Sequence, residues 1–383
     1  MEQEYTTSTG YKIFYGVAAL ALTAIATYFL TNAGQGSGAS LIPALFCGLG
    51  ALGIGINLFK RRVILTDHDV TYISIWGSAD LERSNIKGFR VGEKAIFIEP
   101  VQDGYKKITI RDYISLAGDK QLIASLGGYY KDLNKEEYEE SKEEILHDNH
   151  FGATESDRES ALKASRRYVM IFSFGAMGLF FFNTIFREGN HVLSFVELLY
   201  PMAGFGLLAY GKGMIRLFSK KNTAYPSLFV GFMFCCIIPI IAAFFDAKIL
   251  DYGNMWTPVS VAFAIVVTLL YYLAIKVAQA PFGNQIFFVV IIAAAYSFGG
   301  ILLANNVFDR SQAKIYQAKV TDRYVTHGKS TSYHIVLGDW GQTHGEENVS
   351  VSSSFYNRTA IGSQVNVELK KGYFNIPWFY LSN

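Results

Sequence analysis

The chain has 383 residues, 51% hydrophobic and 17% charged, with a mean hydropathy of +0.21. Soluble domains carry about a quarter charged residues, so this composition argues against a purely soluble protein. The 34 basic and 32 acidic residues leave a net charge of +2, too even for a nucleic-acid partner. Cys47, Cys235 and Cys236 all fall inside apolar segments, which removes a disulfide framework and a cysteine zinc site.

Residues 1–59 form an N-terminal pair of transmembrane helices, with apolar stretches at 13–31 and 41–59. Each supplies the roughly 20 apolar residues that cross about 30 Å of hydrocarbon. The first follows a mostly polar segment and has no small-residue cleavage site, so it reads as a retained span. Gly48-Leu49-Gly50-Ala51-Leu52-Gly53 matches GxGxxG but sits inside the second span. Without a preceding strand the dinucleotide reading fails, and close helix packing is the better one.

Residues 60–131 change period. Val63 to Leu65, Val70 to Trp76, Ile86 to Val91, Ala95 to Ile98 and Lys107 to Ile110 alternate as strands. Asp67-His68-Asp69, Gly77-Ser78 and Gly92-Glu93 turn between them, and a helix follows at Asp119 to Leu126. Strands in order and then one helix predict a small, strongly bent sheet closed by a C-terminal helix. The segments ILTDHDVTYIS, SNIKGFRV and LIASLGG are similar to the bacterial pleckstrin-homology-like domain, often found after paired membrane helices. The resemblance implies that fold and a binding role, and carries no catalytic residues. With 12 basic and 9 acidic residues the segment has a charge of +3. Lys87, Arg90, Lys94, Lys106, Lys107 and Arg111 are its candidate lipid- or partner-binding residues, the plain alternative being a solvated sheet face. Each is worth about 1 kcal/mol near an anionic membrane surface.

Residues 132–167 hold 11 acids and 6 bases and read as a charged helical linker. Thr154-Glu155-Ser156-Asp157 is a capping-box pattern with Asp in the fourth place, so a helix starting there runs unbroken into the third span. The stretch HDNHFGATESDRE resembles a linker before membrane segments in uncharacterised bacterial multi-pass membrane proteins. His147, Asp148 and His150 supply too few ligands for a metal site.

Residues 168–304 read as a five-helix bundle, with spans at 168–186, 192–210, 227–245, 258–277 and 286–304. Ionisable residues inside spans are functional candidates because burying them in lipid is costly. Glu197, near His191 and Arg187, is the foremost; the alternative is a paired structural acid. Lys276 can snorkel at a span end, and Asn183 lies near an outer end.

Residues 305–383 alternate again, with runs at 314–325, 332–337, 347–352, 364–369 and 373–380, and predict a small β-barrel or sandwich. The ending GSQVNVELKKGYFNIPWFYL resembles the close of small tethered β-domains in uncharacterised bacterial membrane proteins. His327, His334, Asp339 and His344 are candidates for a polar site, or ordinary surface residues. Tyr373, Phe374, Trp378, Phe379 and Tyr380 are either core or an interfacial patch.

Orientation follows from the basic residues at the span ends. Lys60, Arg61, Arg62, Lys163, Arg166, Arg167, Lys212, Arg216, Lys220 and Lys221 gather on one side. Arg187 and Lys248, each beside an acid (Glu188, Asp246), lie on the other. This puts the N-terminus and residues 60–167 in the cytoplasm and the C-terminal domain outside, in a bacterial inner (plasma) membrane. The fold expected is an α-helical membrane protein of about seven transmembrane helices with two small β-rich domains. HExxH, GxSxG and Walker A motifs are absent, and no catalytic residue, metal or cofactor is implied. The leading expectation is a non-enzymatic scaffold or signalling protein binding membrane lipids, a protein partner or a second copy. The alternatives are a transporter or channel with a site near Glu197, and a membrane-embedded enzyme acting on lipid or envelope precursors.

Overall fold

The computed structural model describes residues 2–33, 41–102, 104–186, 191–245, 248–277, 282–327, 331–341 and 343–382. Arg187, Glu188 and Asp246 lie outside them, as does the side chain of His191. The chain is mixed helix and sheet, and its contacts divide it into residues Met1–Glu140 and Ser141–Asn383.

The first unit opens on a strand the sequence did not reveal, β1 (Gln3–Thr6). Two long helices follow, α1 (Thr9–Ala33) and α2 (Leu41–Lys60), whose apolar side chains are largely uncovered. The chain then re-enters the sheet as β2 (Arg62–Leu65), β3 (Asp69–Ser74) and β4 (Gly77–Glu82), in the order β1-β2-β3-β4. Tyr5 pairs with Val63 and Thr6 with Arg62, both antiparallel. A strand before α1 and a strand after α2 therefore meet, and the two helices form a hairpin that returns to its own starting end.

A three-stranded sheet of β5 (Ile86–Val91), β6 (Ala95–Pro100) and β7 (Ile108–Arg111) follows, then helix α3 (Asp119–Tyr129). Alternation does the work here. Val63, Leu65, Val70, Phe89, Ile96, Ile98, Ile108 and Ile110 point inward and pack with Leu122 and Leu126 of α3 into one core. Tyr5 joins that core, and its hydroxyl hydrogen-bonds with Ser125 Oγ at 3.1 Å, tying β1 to α3. Gly88 is forced by a close approach: a Cβ there would lie 2.6 Å from the Lys131 carbonyl, which accepts from Phe89 N. Helix α4 (Leu133–His147) starts just after this contact, with Asp132 Oδ1 accepting from Asn134 N.

In the second unit, α5 (Glu155–Phe186) is one unbroken helix of 32 residues. Its start is the expected box: Thr154 Oγ1 accepts from Asp157 N at 3.2 Å, and Asp157 Oδ2 accepts from Thr154 N at 3.0 Å. The other long helices are α6 (His191–Gly211), α7 (Phe229–Phe245), α8 (Trp256–Tyr271) and α9 (Phe282–Val307). A π-helical stretch over Tyr272–Val277 continues α8 and carries Lys276, whose side chain is exposed. Val169 and Phe172 of α5, Phe205 and Leu208 of α6, Phe232 and Cys236 of α7, Leu270 of α8 and Ile292 of α9 share the bundle core.

Among the described residues, five helical segments are long and apolar enough to cross a membrane: Thr9–Thr31, Leu41–Lys60, Val192–Gly211, Gly253–Val277 and Gln285–Val307. The two other expected spans lie in the distal half of α5 and in α7. Helix α7 is only 17 residues long, short of the roughly 20 that bilayer thickness asks for.

The C-terminal strands are β9 (Lys314–His327), β10 (Thr331–Leu337), β11 (Glu347–Val351), β12 (Gln364–Lys370) and β13 (Trp378–Ser382). A further strand, β8 (Lys248–Ile249), comes from the α7–α8 connection and completes the order β11-β10-β9-β12-β13-β8. Trp378 pairs with Ile249 and Phe379 with Lys248. The sheet is also pinned to the end of α9. Buried Asn305 donates from Nδ2 to the Ile376 carbonyl and accepts from Phe374 N, at 2.9 and 3.0 Å. Asp309 Oδ2 accepts from Gly372 N and Trp378 Nε1, at 3.0 and 2.9 Å.

Candidate functional site

In the first unit a cleft of about 540 Å³ opens between the ends of α1 and α2 and the strands beyond them. Tyr15, Ile54, Asn57 and Leu58 form its helical wall, Tyr72, Ser74, Ile75, Trp76 and Thr109 its strand wall, and Arg61, Arg111 and Asp112 its polar end. Arg61, the first residue after α2, is 4% exposed. Its guanidinium donates to Ser115 Oγ at 2.7 Å, to the Asp112 carbonyl at 2.8 Å and to the Arg111 carbonyl. It also lies 3.7 Å from the Asp112 carboxylate, which accepts from the Tyr15 hydroxyl at 3.0 Å. Arg61 thus welds the last turn of α2 to the end of β7 and neutralises Asp112. Arg111 stays exposed beside it.

The β3–β4 hairpin supplies the opposite lip. Ser74 pairs with Gly77, leaving Ile75 and Trp76 as a two-residue turn, and Gly77 has φ +123°, a value suited to glycine. Ser74 Oγ accepts from Trp76 N at 3.2 Å. The Trp76 side chain is 89% exposed.

The six basic residues singled out in the sequence are not one patch. Arg90 is held by Glu99 at 2.9 Å and Glu137 at 2.7 Å; the Glu137 hydrogen bond raises its pKa further, against the opposing effect of burial. Lys107 lies 4.5 Å over the Phe97 ring. Ala95 pairs with Arg111 and Ile98 with Ile108, so Lys94 and Arg111 share one end of β6–β7, while Lys106 and Lys107 sit at the other. Lys87 is exposed on β5. Only Arg111 lines the cleft. Arg61, Tyr15 and Trp76 are lining residues that the sequence reading passed over. The sequence offered only a tryptophan directly before the Gly77 turn signal.

In the second unit Glu197 is 1% exposed on α6, and Asn183 of α5 donates to its carboxylate. Tyr200 and Tyr296 nearby spend their hydroxyls on the Phe172 and Leu198 carbonyls, at 3.0 and 2.8 Å. On the α6–α7 connection the Arg216 guanidinium stacks 3.3 Å from the Tyr225 ring centre. Burial pushes the Tyr225 phenol up to about 12 and draws Arg216 down. Ser141 Oγ accepts from Ala224 N at 2.7 Å, and the Ala224 carbonyl accepts from Arg166, so this connection is bonded to the chain leading into α5.

His147 bonds its own helix at the Glu143 carbonyl, and His334 stacks on Tyr324 at 4.9 Å. Among the described residues no group of three or more His, Cys, Asp or Glu is placed to hold a metal ion. The aromatic close of the chain divides: Trp378 and Phe379 are buried, while Tyr373 is exposed.

Compared with family models, with curated proteins and with solved structures, the chain matches none.

Proposed function

We propose that this chain is a seven-span membrane scaffold or signalling protein. It carries a cytoplasmic pleckstrin-homology-like domain at residues 60–131, joined by β1, and an extracytoplasmic β-domain at 305–383. The observation that carries the reading is that each β-domain draws a strand across a membrane segment. Strand β1 reaches the first sheet from before the α1–α2 hairpin, and β8 reaches the second from between α7 and α8. Domains built this way are fixed platforms and not tethered modules, an arrangement suited to holding a partner or lipid in register with the bilayer. Two sheets closed by α3 agree with the bent-sheet pattern of the pleckstrin-homology-like family.

The contacts of the second unit support seven spans over five. Helix α7 leaves a connection bonded to Ser141 and ends at β8, bonded to β13. Within helix α5, Arg166 donates to that same connection and Asn183 donates to Glu197 of α6. At 1.5 Å per residue 17 residues span about 26 Å, a modest mismatch for a bilayer core.

Helix α5 is the coupling element, since it is continuous from the charged linker into the bundle. The test is Ala161→Pro, with crosslinking and mass spectrometry in native membranes. Wild-type chain is expected to crosslink a stoichiometric partner or second copy through 60–131 or 305–383, and the proline variant to lose it at one domain. Recovery of uncrosslinked monomer from both would turn the assignment towards transport. That second reading rests on one observation, an acid buried in a membrane helix at Glu197. A flux abolished by Glu197→Gln would establish it.

A further inference from the structure

We infer that the cleft between the α1–α2 hairpin and the β3–β4 turn holds the headgroup of an anionic phospholipid from the leaflet the hairpin emerges through. The inference rests on the membrane-spanning reading of α1 and α2 and gives the first unit a specific ligand.

Depth fixes the occupant. Arg62 pairs with Ile73, so the β3–β4 turn continues past Arg62 towards α2 and not away from it. Ser74 lies one residue beyond Ile73 and the Ile75-Trp76 turn adds about one more, so the tip reaches about 7 Å further at about 3.3 Å per residue. From Arg62 back to Asn57 is five residues, about 7.5 Å along a helix. The turn therefore reaches the level of Asn57 and Leu58, which line the cleft with Trp76. Those residues belong to the last turn of an apolar helix, where hydrocarbon gives way to headgroups. A tryptophan left 89% exposed is costly in water and favourable at that level.

Charge fixes the headgroup. Arg61 is taken up by Asp112, Ser115 and two carbonyls, so this pair adds no net charge to the cleft. Arg111 adds one positive charge at the polar end, with exposed Lys94 on the neighbouring turn. Tyr72 and Thr109, both hydroxyl-bearing, line the same wall with Ser74, whose own hydroxyl is donated to the Gly77 carbonyl at 3.3 Å. A guanidinium beside hydroxyl donors suits a phosphodiester, and the uncompensated charge favours a lipid with net negative charge over a zwitterionic one.

The test uses the full chain in nanodiscs, reading tryptophan quenching by phospholipids brominated on the acyl chains. The Trp76 signal is the difference between wild type and Trp76→Phe. Brominated phosphatidylglycerol titrated into phosphatidylcholine discs is expected to quench Trp76 at a lower mole fraction than brominated phosphatidylcholine does. Arg111→Gln should raise that mole fraction about fivefold, which is about 1 kcal/mol, and Arg111→Lys should keep most of the preference. Arg111 makes no side-chain contact in the core, so both variants should fold. Equal quenching by the two lipids, or an unchanged preference in Arg111→Gln, overturns the site and leaves the membrane reading standing. Loss of the preference on adding inorganic phosphate overturns it in favour of a soluble anion. If neither lipid quenches any tryptophan, exposed Trp256 at the start of α8 included, the membrane reading falls with it.

Discussion

Asp309 shows how single residues hold the C-terminal sheet on its helix. Its carboxylate is partly buried, which raises its pKa. Hydrogen bonds from Ser311, Trp378 and Gly372 outweigh that and hold it below the ordinary 3.8. A carboxylate depressed in the folded state contributes stability that is complete above its unfolded pKa and is lost as pH falls through the folded value. The C-terminal domain should therefore keep its melting temperature from neutral pH down to the ordinary Asp range and lose stability below it. Asp309→Asn puts an amide NH₂ among donors and should cost about 1 kcal/mol at neutral pH. Thermal melts of the purified chain followed by near-UV circular dichroism would check this, with a variant that melts like wild type at both pH values counting against the clamp. Buried Asn305 acts beside it by another route, since its amide bonds do not titrate. Neither residue stood out in the sequence. Asparagine and aspartate at this place read as an ordinary helix end, and their partners in the sheet lie 63 to 71 residues further on.

At the scale of elements, apolar length made the long helices legible, and the capping box gave α5 its first residue. Alternation gave most strands, because each has one face in a core. Strand β1 has four residues and one buried apolar side chain, too little to show a period. Strand β8 has two residues. Both exist because a longer neighbouring strand offers its edge, which is a tertiary cause. Helix contacts were equally out of reach, and Gly299 on α9 is the clearest case. A Cβ there would lie 2.6 Å from Ile240 N and 2.9 Å from the Pro239 carbonyl carbon, backbone atoms of α7 that cannot move aside. Gly299→Ala is expected to destabilise the bundle by about 1–3 kcal/mol through overpacking. Gly206→Ala, on an exposed face of α6 with nothing near its Cβ, should be neutral or stabilising. Detergent melts of the two variants, compared with wild type, separate close packing from general glycine loss; equal effects would remove Gly299 as a contact point.

For the whole molecule, the proposed orientation turns on how the helices of the second unit connect. On the proposed seven-span reading, the basic residues of 163–167 and 212–221 belong to one face of the membrane. Bonding ties the 212–228 connection to Ser141 and Arg166, and ties Lys248 and Ile249 to the C-terminal sheet. Helix α7 alone joins those two ends, so its crossing is the step on which seven spans depend. Single cysteines placed at Lys106, Lys220, Tyr252 and Ile361 test it, all exposed and outside the helices. Cys47→Ser removes the half-buried native thiol, and Cys235 and Cys236 are buried in the bundle. In right-side-out vesicles an impermeant maleimide should label Tyr252→Cys and Ile361→Cys at once. Lys106→Cys and Lys220→Cys should label only after permeabilisation. Matching behaviour at 220 and 252 would mean that α7 does not cross, and the short helix would then be a surface element instead of a span. Opposite behaviour requires α5 and α6 to traverse with α7, because α5 and α6 are joined through Asn183 and Glu197 at the end remote from Arg166.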